Sequence, residues 1–358
     1  MKKKAFAFFI LFDALLTLGL SFVAGHNGDM PFYIASVLEN EGTPPNAVFA
    51  KTREILKQEL PETGFAEHAA RLDKADPGIM GFYHIKPLYI WLVSLFHRLG
   101  FSYVLSTILP SLIAYFLIGV LVWNWAIRTL KPLYALSLSM LILLINPFMI
   151  LARLSSPDAL SCLCLLGVLY CIYFEKNSRI SLSLLLLSIW IRMDNTVSAL
   201  IIFSFMYLWP DSGSPNKIGG RNYFGLVILV GLMLLGMNAY FEADFWWFTK
   251  ASYLGSVWQY GFQLLVYFQS LSQSFLMALI LFFVLIRFRI PVSIREKTGF
   301  CLLMTACIFA ARLILFPSFE ERFAAAYYIF TIFLLAGLLN GLPVPGKEGK
   351  GEQENMFF

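Results

Sequence analysis

The sequence predicts an all-α, polytopic integral membrane protein with about ten transmembrane helices and one long outer first loop. Three observations predict this class: 59% of the 358 residues are hydrophobic, only 14% are charged, and the mean hydropathy is +0.71. Soluble domains carry about a quarter charged residues, so roughly half of the expected charge is missing. The composition excludes a disordered chain, a disulfide scaffold and a soluble enzyme, and it indicates a lipid solvent.

Apolar segments separated by short polar breaks recur along the chain and predict the membrane spans. The first, residues 5–24, is longer than the core of a signal peptide, so we expect an uncleaved span. The segments 180–191 and 197–209 are short, and we expect them to meet near one face of the membrane. The other candidate spans are 104–127, 133–151, 159–174, 223–240, 262–286, 299–316 and 323–342.

The distribution of lysine and arginine predicts the orientation, because cytoplasmic links carry an excess of both. With the N-terminus in the cytoplasm, most of these residues fall in inner links, while the short outer breaks hold mainly Arg153, Arg192, Lys250 and Arg322. This alternation requires that the apolar run 87–96 does not span, and it is too short to do so. We expect a bacterial cytoplasmic (inner) membrane, membrane lipids as partners, and no nucleic-acid binding from the net charge of +5.

A single transmembrane domain is predicted over residues 1–342, followed by a polar, disordered cytoplasmic tail over 343–358. Its first outer loop covers about residues 25–103 and contains a mixed-charge amphipathic stretch, 47–60, expected at the membrane surface. All five cysteines lie in apolar runs without a Cys-x-x-Cys pair, so we expect buried free thiols.

Polar residues that are unusual for a membrane protein collect at the predicted outer breaks. They are Asp29, His84, Lys86, Arg153, Asp158, Arg192, Asp194, Glu242, Asp244, Glu320, Glu321 and Arg322. An unpaired buried charge costs several kcal/mol, so each must pair or serve a ligand. In one interpretation neighbours satisfy each other at the interface, as Arg153 with Asp158 or Arg192 with Asp194 would. The other, which we favour, is a polar site that opens to the outside.

Three of these segments carry a family resemblance. They read Gly-Asp-Met-Pro-Phe-Tyr at 28–33, Tyr-His-Ile-Lys-Pro-Leu-Tyr at 83–89 and Ala-Arg-Leu-Ser-Ser-Pro-Asp-Ala at 152–159. Their order resembles the GT-C membrane glycosyltransferases, in particular protein O-mannosyltransferases and lipid A aminoarabinose transferases. The segments 191–195 and 321–323 are similar to later family segments. The chain departs from the family at Met30, where a second acid is usual, and at Pro87, where a double proline is usual.

The resemblance implies transfer of a hexosyl or pentosyl group from a polyprenyl-phosphate-linked donor to a hydroxyl of an acceptor lipid, glycan or protein at the outer face. It implies Asp29 as the base or the acid that orients the acceptor, and Asp158 as a second catalytic acid that positions sugar, acceptor or metal. Lys86 would hold the donor phosphate. The further substrate-binding candidates are Tyr33, His84, Arg153, Arg192, Asp194 and Arg322.

No cofactor is firmly predicted, although a divalent metal ion is a candidate. His26 and His84 could join Asp29 as ligands, but three scattered loop residues form a weak metal pattern. Asp13 lies in the middle of the first span, where an acid marks either an interhelical hydrogen bond or part of a polar cavity.

Two other functions compete with the enzyme. A transporter or flippase of a lipid-linked or anionic solute would line its pathway with the same residues. Such a pathway needs polar groups at the midplane and usually repeated halves. Asp13 is the clearest midplane acid and no repeat is visible, which favours the enzyme. An assembly subunit without activity is the third hypothesis, because Asp29 lacks its usual acidic neighbour.

Overall fold

A computed structural model describes residues 2–23, 27–75, 79–174, 178–209, 214–240, 292–315 and 321–340. Within these ranges the regular elements are helices, which confirms the all-α class. The predicted span 262–286 and the predicted tail 343–358 lie outside the described residues, as do His26, Glu242, Asp244 and Glu320.

The first helix, α1, covers Lys2–Phe22, and the predicted outer loop then folds into five helices. These are α2 (Met30–Asn40), α3 (Pro45–Glu59), α4 (Glu62–Asp73), α5 (Met80–His84) and α6 (Pro87–Arg98). The next seven are α7 (Tyr103–Thr129), α8 (Pro132–Leu144), α9 (Asn146–Arg153), α10 (Asp158–Tyr173), α11 (Ser178–Ile191), α12 (Asn195–Tyr207) and α13 (Gly220–Tyr240). The last described elements are α14 (Val292–Leu315), a 3₁₀ turn (Glu321–Ala324) and α15 (Ala325–Asn340).

Three described helices are long and apolar enough to cross a membrane: α1, α7 and α13, with mean hydropathies of 2.1, 2.2 and 1.8. Helices α8, α10, α11 and α12 are also apolar, but each is shorter than a typical span of about 20 residues. The three long helices fit a membrane protein, while a total of about ten spans stays a prediction.

The predicted span 133–151 is wrong as a single helix. It is divided into α8 and α9 at Ile145, whose backbone is extended with φ −70° and ψ 132°. Pro147 follows two residues later in the first turn of α9, and without an N–H it could not bond to the carbonyl four residues earlier in an unbroken helix. The break therefore has a local cause in the sequence.

The first loop packs onto the helical core. Helix α6 contains 12 residues, which agrees with the expectation that this run does not span. On α3, Val48, Thr52 and Leu56 recur every four residues and are buried on one face. Glu59 at the end of α3 accepts hydrogen bonds from the backbone N–H groups of Tyr103 and Val104, at 3.0 and 2.8 Å. It thereby satisfies two N–H groups at the start of α7.

Helix α7 is the central helix of the core and packs against α1, α6, α8, α9 and α10. Trp125 near its end is fully buried and stacks on Phe333 of α15, with ring centroids 5.0 Å apart. Near its start, Thr107 donates to Ser155 at 3.0 Å, and Ser111 donates to the carbonyl of Ser156 at 2.9 Å. These bonds fix the turn that leads into α10.

Candidate anion-binding site

Four helices begin at one polar site. Asp29 precedes α2, Lys86 precedes α6, Asp158 opens α10 and Asp194 precedes α12. The free N–H groups at a helix N-terminus carry partial positive charge, which stabilises a carboxylate there. The three acids therefore occupy positions that suit them locally.

A small apolar cluster joins the end of the first loop to the break between α11 and α12. Ile85 packs with Met193 and Met237, and all three are buried. Ile85 precedes Lys86, and Met193 lies between Arg192 and Asp194 in the sequence. This contact brings the Lys86 segment close to the Arg192–Asp194 segment.

Asp194 is held by two arginines. Nε and Nη2 of Arg192 donate to its two carboxylate oxygens, both at 2.9 Å, and Nη2 of Arg312 donates at 2.5 Å. Burial alone would raise the pKa of Asp194, but the Arg192 and Arg312 guanidiniums outweigh it and hold the pKa below its usual value. Asp194 is therefore ionised at neutral pH.

Asp158 is the second acceptor of the same arginine. Its Oδ1 accepts a hydrogen bond from Nη1 of Arg192, and its Oδ2 accepts one from Ser156 at 2.9 Å. Nε of Arg322 lies 3.2 Å from Oδ2. Arg192 bridges Asp158 and Asp194, and Arg322 lies beside Asp158. One charged network therefore joins the breaks before α10 and α12 to the turn before α15.

Lys86 lies at the edge of this network and is only 6% exposed. Its ammonium is 3.9 Å from the ring centroid of Phe82, 4.6 Å from that of Tyr83 and 5.2 Å from that of Tyr33. Burial lowers the pKa of Lys86 to about 7, with the charge of Asp29 opposing the shift and that of Arg192 adding to it. Lys86 thus changes its charge near neutral pH.

Asp29 is joined to the aromatic residues around Lys86. The hydroxyl of Tyr83 donates to Oδ1 of Asp29 at 2.8 Å. Burial and then the charge of Asp29 raise the pKa of Tyr83, so its phenol stays protonated and can donate. Tyr33 is buried and packs edge-on against Tyr83 and Tyr89, with centroids 5.1 and 4.8 Å apart. This packing fixes the ring that holds the carboxylate.

Two predicted site residues have other partners. Arg153 is half-buried and its Nε donates to the carbonyl of Val23 at 2.8 Å, so its predicted pairing with Asp158 is wrong, whereas that of Arg192 with Asp194 is confirmed. Nε2 of His84 lies 2.7 Å from a carboxylate oxygen of Glu39, in a contact between α5 and α2. Arg153 therefore stabilises the end of α1, and His84 stabilises the first loop.

Two arginines near the site were not predicted. Arg312 on α14 is 5% exposed and pairs with Asp194. Its signal was available, because a single arginine inside an apolar run is a functional candidate by default. Arg71 on α4 had no such signal. Its guanidinium lies next to Gly28, and a Cβ built on that glycine would be 1.7 Å from Nη1 of Arg71. A side chain at position 28 would force the guanidinium of Arg71, the end of a flexible and exposed side chain, to move.

A cavity of about 10 Å³, enough for about one water, opens among the arginines. Its polar lining consists of Asp158, Ser161, Arg192, Arg312 and Arg322. Among the described residues no three His, Cys, Asp or Glu side chains come together as a metal ion would require. The described side chains at this cavity therefore suit an anion better than a metal ion.

Comparison of the chain with protein-family models, with characterised proteins and with solved structures finds no match. The resemblance of the three sequence segments to the GT-C glycosyltransferases therefore stays a prediction from the sequence.

Proposed function

We propose that the protein is a membrane glycosyltransferase that moves a sugar from a polyprenyl-phosphate-linked donor to an acceptor hydroxyl at the outer face of the membrane. The observation that carries this proposal is the buried network around Arg192, together with Lys86 and Asp29 beside it. The same proposal includes a total of about ten membrane spans, a site that faces outward, and location in a bacterial inner membrane.

The charge balance of the network supports binding of a monoanion. Its cations are Lys86, Arg192, Arg312 and Arg322, and its carboxylates are Asp29, Asp158 and Asp194. Four cations against three carboxylates leave one positive charge in excess when all are ionised, and Arg71 is balanced by its own pair with Glu67. A sugar linked to a polyprenyl phosphate is a phosphodiester with a single negative charge. Such a group would neutralise the excess and add charge-assisted hydrogen bonds.

Asp29 has the chemistry that the transfer step requires. The acceptor oxygen would attack the anomeric carbon of the donor while the bond from that carbon to the phosphate oxygen breaks. The phosphate would leave with the bonding electron pair and be stabilised by Lys86 and the arginines. The hydroxyl proton would pass to Asp29, which the Tyr83 hydrogen bond orients.

Asp158 and Asp194 support the reaction as positioning residues. Their oxygens accept from Arg192, Arg312 and Ser156, and Arg322 lies beside them. An arginine held in this way is already oriented when the donor arrives, so less entropy is lost on binding. This role replaces the direct contact with the sugar that the resemblance implies for Asp158.

Transfer assays in lipid nanodiscs test the proposal. Wild-type protein, Asp29→Asn, Lys86→Ala and the control Arg53→Ala would receive radiolabelled polyprenyl-phosphate sugars with lipid, glycan and protein acceptors. Arg53 is exposed on α3 and pairs with Asp73, away from the site. We expect transfer by the wild type and the control, a loss of about 10²–10⁴-fold in kcat for Asp29→Asn, and a raised KM for the donor in Lys86→Ala.

Transfer that continues undiminished in Asp29→Asn would contradict the role of Asp29. Movement of a lipid-linked or anionic solute across vesicles, with no covalent transfer under any donor, would favour the transporter instead. If folded wild-type protein shows no solute movement and no sugar transfer, that result would favour an assembly subunit without activity.

A further inference from the structure

Another buried acid lies outside the network described above. Asp13 lies mid-way along α1 and is fully buried. Its carboxyl packs directly on the backbone of α7 at Gly119, where a Cβ would lie 2.1 Å from Oδ2. Glycine at position 119 is therefore what allows the acid to lie between the two helices.

Neither carboxyl oxygen of Asp13 has a hydrogen-bond partner among the residues that the structure describes. The hydroxyls of Thr17, one turn further along α1, and of Ser139 on the adjacent α8 also lack one there. On α1, Asp13 and Thr17 thus carry three oxygen atoms whose hydrogen-bonding capacity the described residues do not fill.

The ionisable groups on the packed helices are engaged elsewhere. Tyr115 on α7 donates to the carbonyl of Leu143, Arg128 on α7 stacks on Tyr170, and Tyr134 on α8 is exposed. Arg153 on α9 binds the carbonyl of Val23, which lies about 15 Å from Asp13 along the helix axis. The lysines of α1 end at Lys4, about 13 Å away in the other direction.

An ionised carboxylate without a cation is strongly disfavoured in an apolar interior, and more so within a bilayer. We propose that Asp13 is a proton-binding site, a neutral carboxylic acid within the contact of α1 and α7. The ligand is a proton, and the proposal does not depend on the glycosyltransferase function. Loss of the proton would require water or a cation to enter this contact, so the protonation of Asp13 is linked to the packing of α1.

Infrared difference spectroscopy of the protein in lipid vesicles tests this site without needing a reagent to reach it. The spectrum of Asp13→Asn would be subtracted from that of the wild type at neutral pH. We expect the difference to contain the carbonyl-stretch band of a neutral carboxylic acid. The control Asp73→Asn removes an exposed, ion-paired acid and should give the bands of an ionised carboxylate instead.

Carboxylate bands in the Asp13 difference spectrum would overturn the proposal. Thermal unfolding of Asp13→Asn is the second measurement, because an amide reproduces the shape and neutrality of the acid. We expect an unchanged melting temperature, and failure of Asp13→Asn to fold would count against a neutral acid. Transfer activity plays no part in either result, so failure here is separate from failure of the proposed function.

Discussion

Asp13 and Asp194 are both acids in a chain with few acids, and their surroundings are opposite. Asp194 receives hydrogen bonds from Arg192 and Arg312, whereas Asp13 meets the backbone of Gly119 and has no hydrogen-bond partner within the described part of the chain. The first environment favours the charged form and the second favours the neutral form. The surrounding cations, and not burial alone, therefore set the charge of a buried acid.

The two sites also differ in how they are built. The contact at Asp13 joins two long helices side by side, so it depends on close packing. The network at Asp194 joins helix termini and breaks, so it depends on several distant segments reaching one place.

Asp194→Asn should cause the largest loss of stability. The amide cannot balance the charges of Arg192 and Arg312, and removing one partner of a buried pair costs about 3–5 kcal/mol. The measurement is the free energy of unfolding in detergent micelles, with Asp13→Asn as the matched control, for which we expect almost no loss. Equal losses in the two variants would abolish the distinction between the sites.

Gly119→Ala should destabilise the contact of α1 and α7. The added methyl group would overlap Asp13 Oδ2, and overpacking of this kind costs about 1–3 kcal/mol. Gly231→Ala on α13 is the control, since no atom lies within 4 Å of its Cβ position. The penalty should shrink in an Asp13→Ala background, and a double-mutant cycle without coupling would argue against direct contact.

Binding of a phosphodiester should weaken as the pH rises through the pKa of Lys86, about 7. Lys86 must carry its proton to bind an anion, so between about pH 6 and about pH 8 the protonated fraction, and with it the affinity, falls about tenfold. Calorimetric titration with a short-chain polyprenyl phosphodiester measures this. The arginine of Lys86→Arg stays charged, so the affinity of this variant should depend little on pH. An equally steep fall in affinity would show that another group causes the pH dependence.

Asp73→Asn should have the smallest effect. Its pair with Arg53 is exposed on both sides, and exposed ion pairs contribute about 0–1 kcal/mol. Unfolding experiments on this variant provide the reference against which the buried pairs are judged. A loss as large as that of Asp194→Asn would mean that α3 and α4 are coupled to the core more tightly than their exposure indicates.

Much of the candidate site could be predicted because its residues are chemically unusual where they stand. Asp29, Lys86, Asp158, Arg192, Asp194 and Arg322 are charges in a chain dominated by apolar residues, and such charges need a partner or a ligand. Their pairing was only partly predicted, since the neighbours Arg192 and Asp194 do pair as expected. Arg153 is close to Asp158 in the sequence but binds Val23, while Arg312 reaches Asp194 from 118 residues away.

The apolar, all-helical class follows from the amino-acid sequence alone, because it depends on composition. The division of 133–151 was predicted wrongly, although its cause is local, since Pro147 has no N–H with which to continue α8. Only the tertiary structure decided that Arg192 bridges two acids, that Arg71 lies over Gly28 and that Gly119 receives Asp13. Those outcomes depend on how helices from distant parts of the chain pack, because a charge and its partner are selected by distance in space.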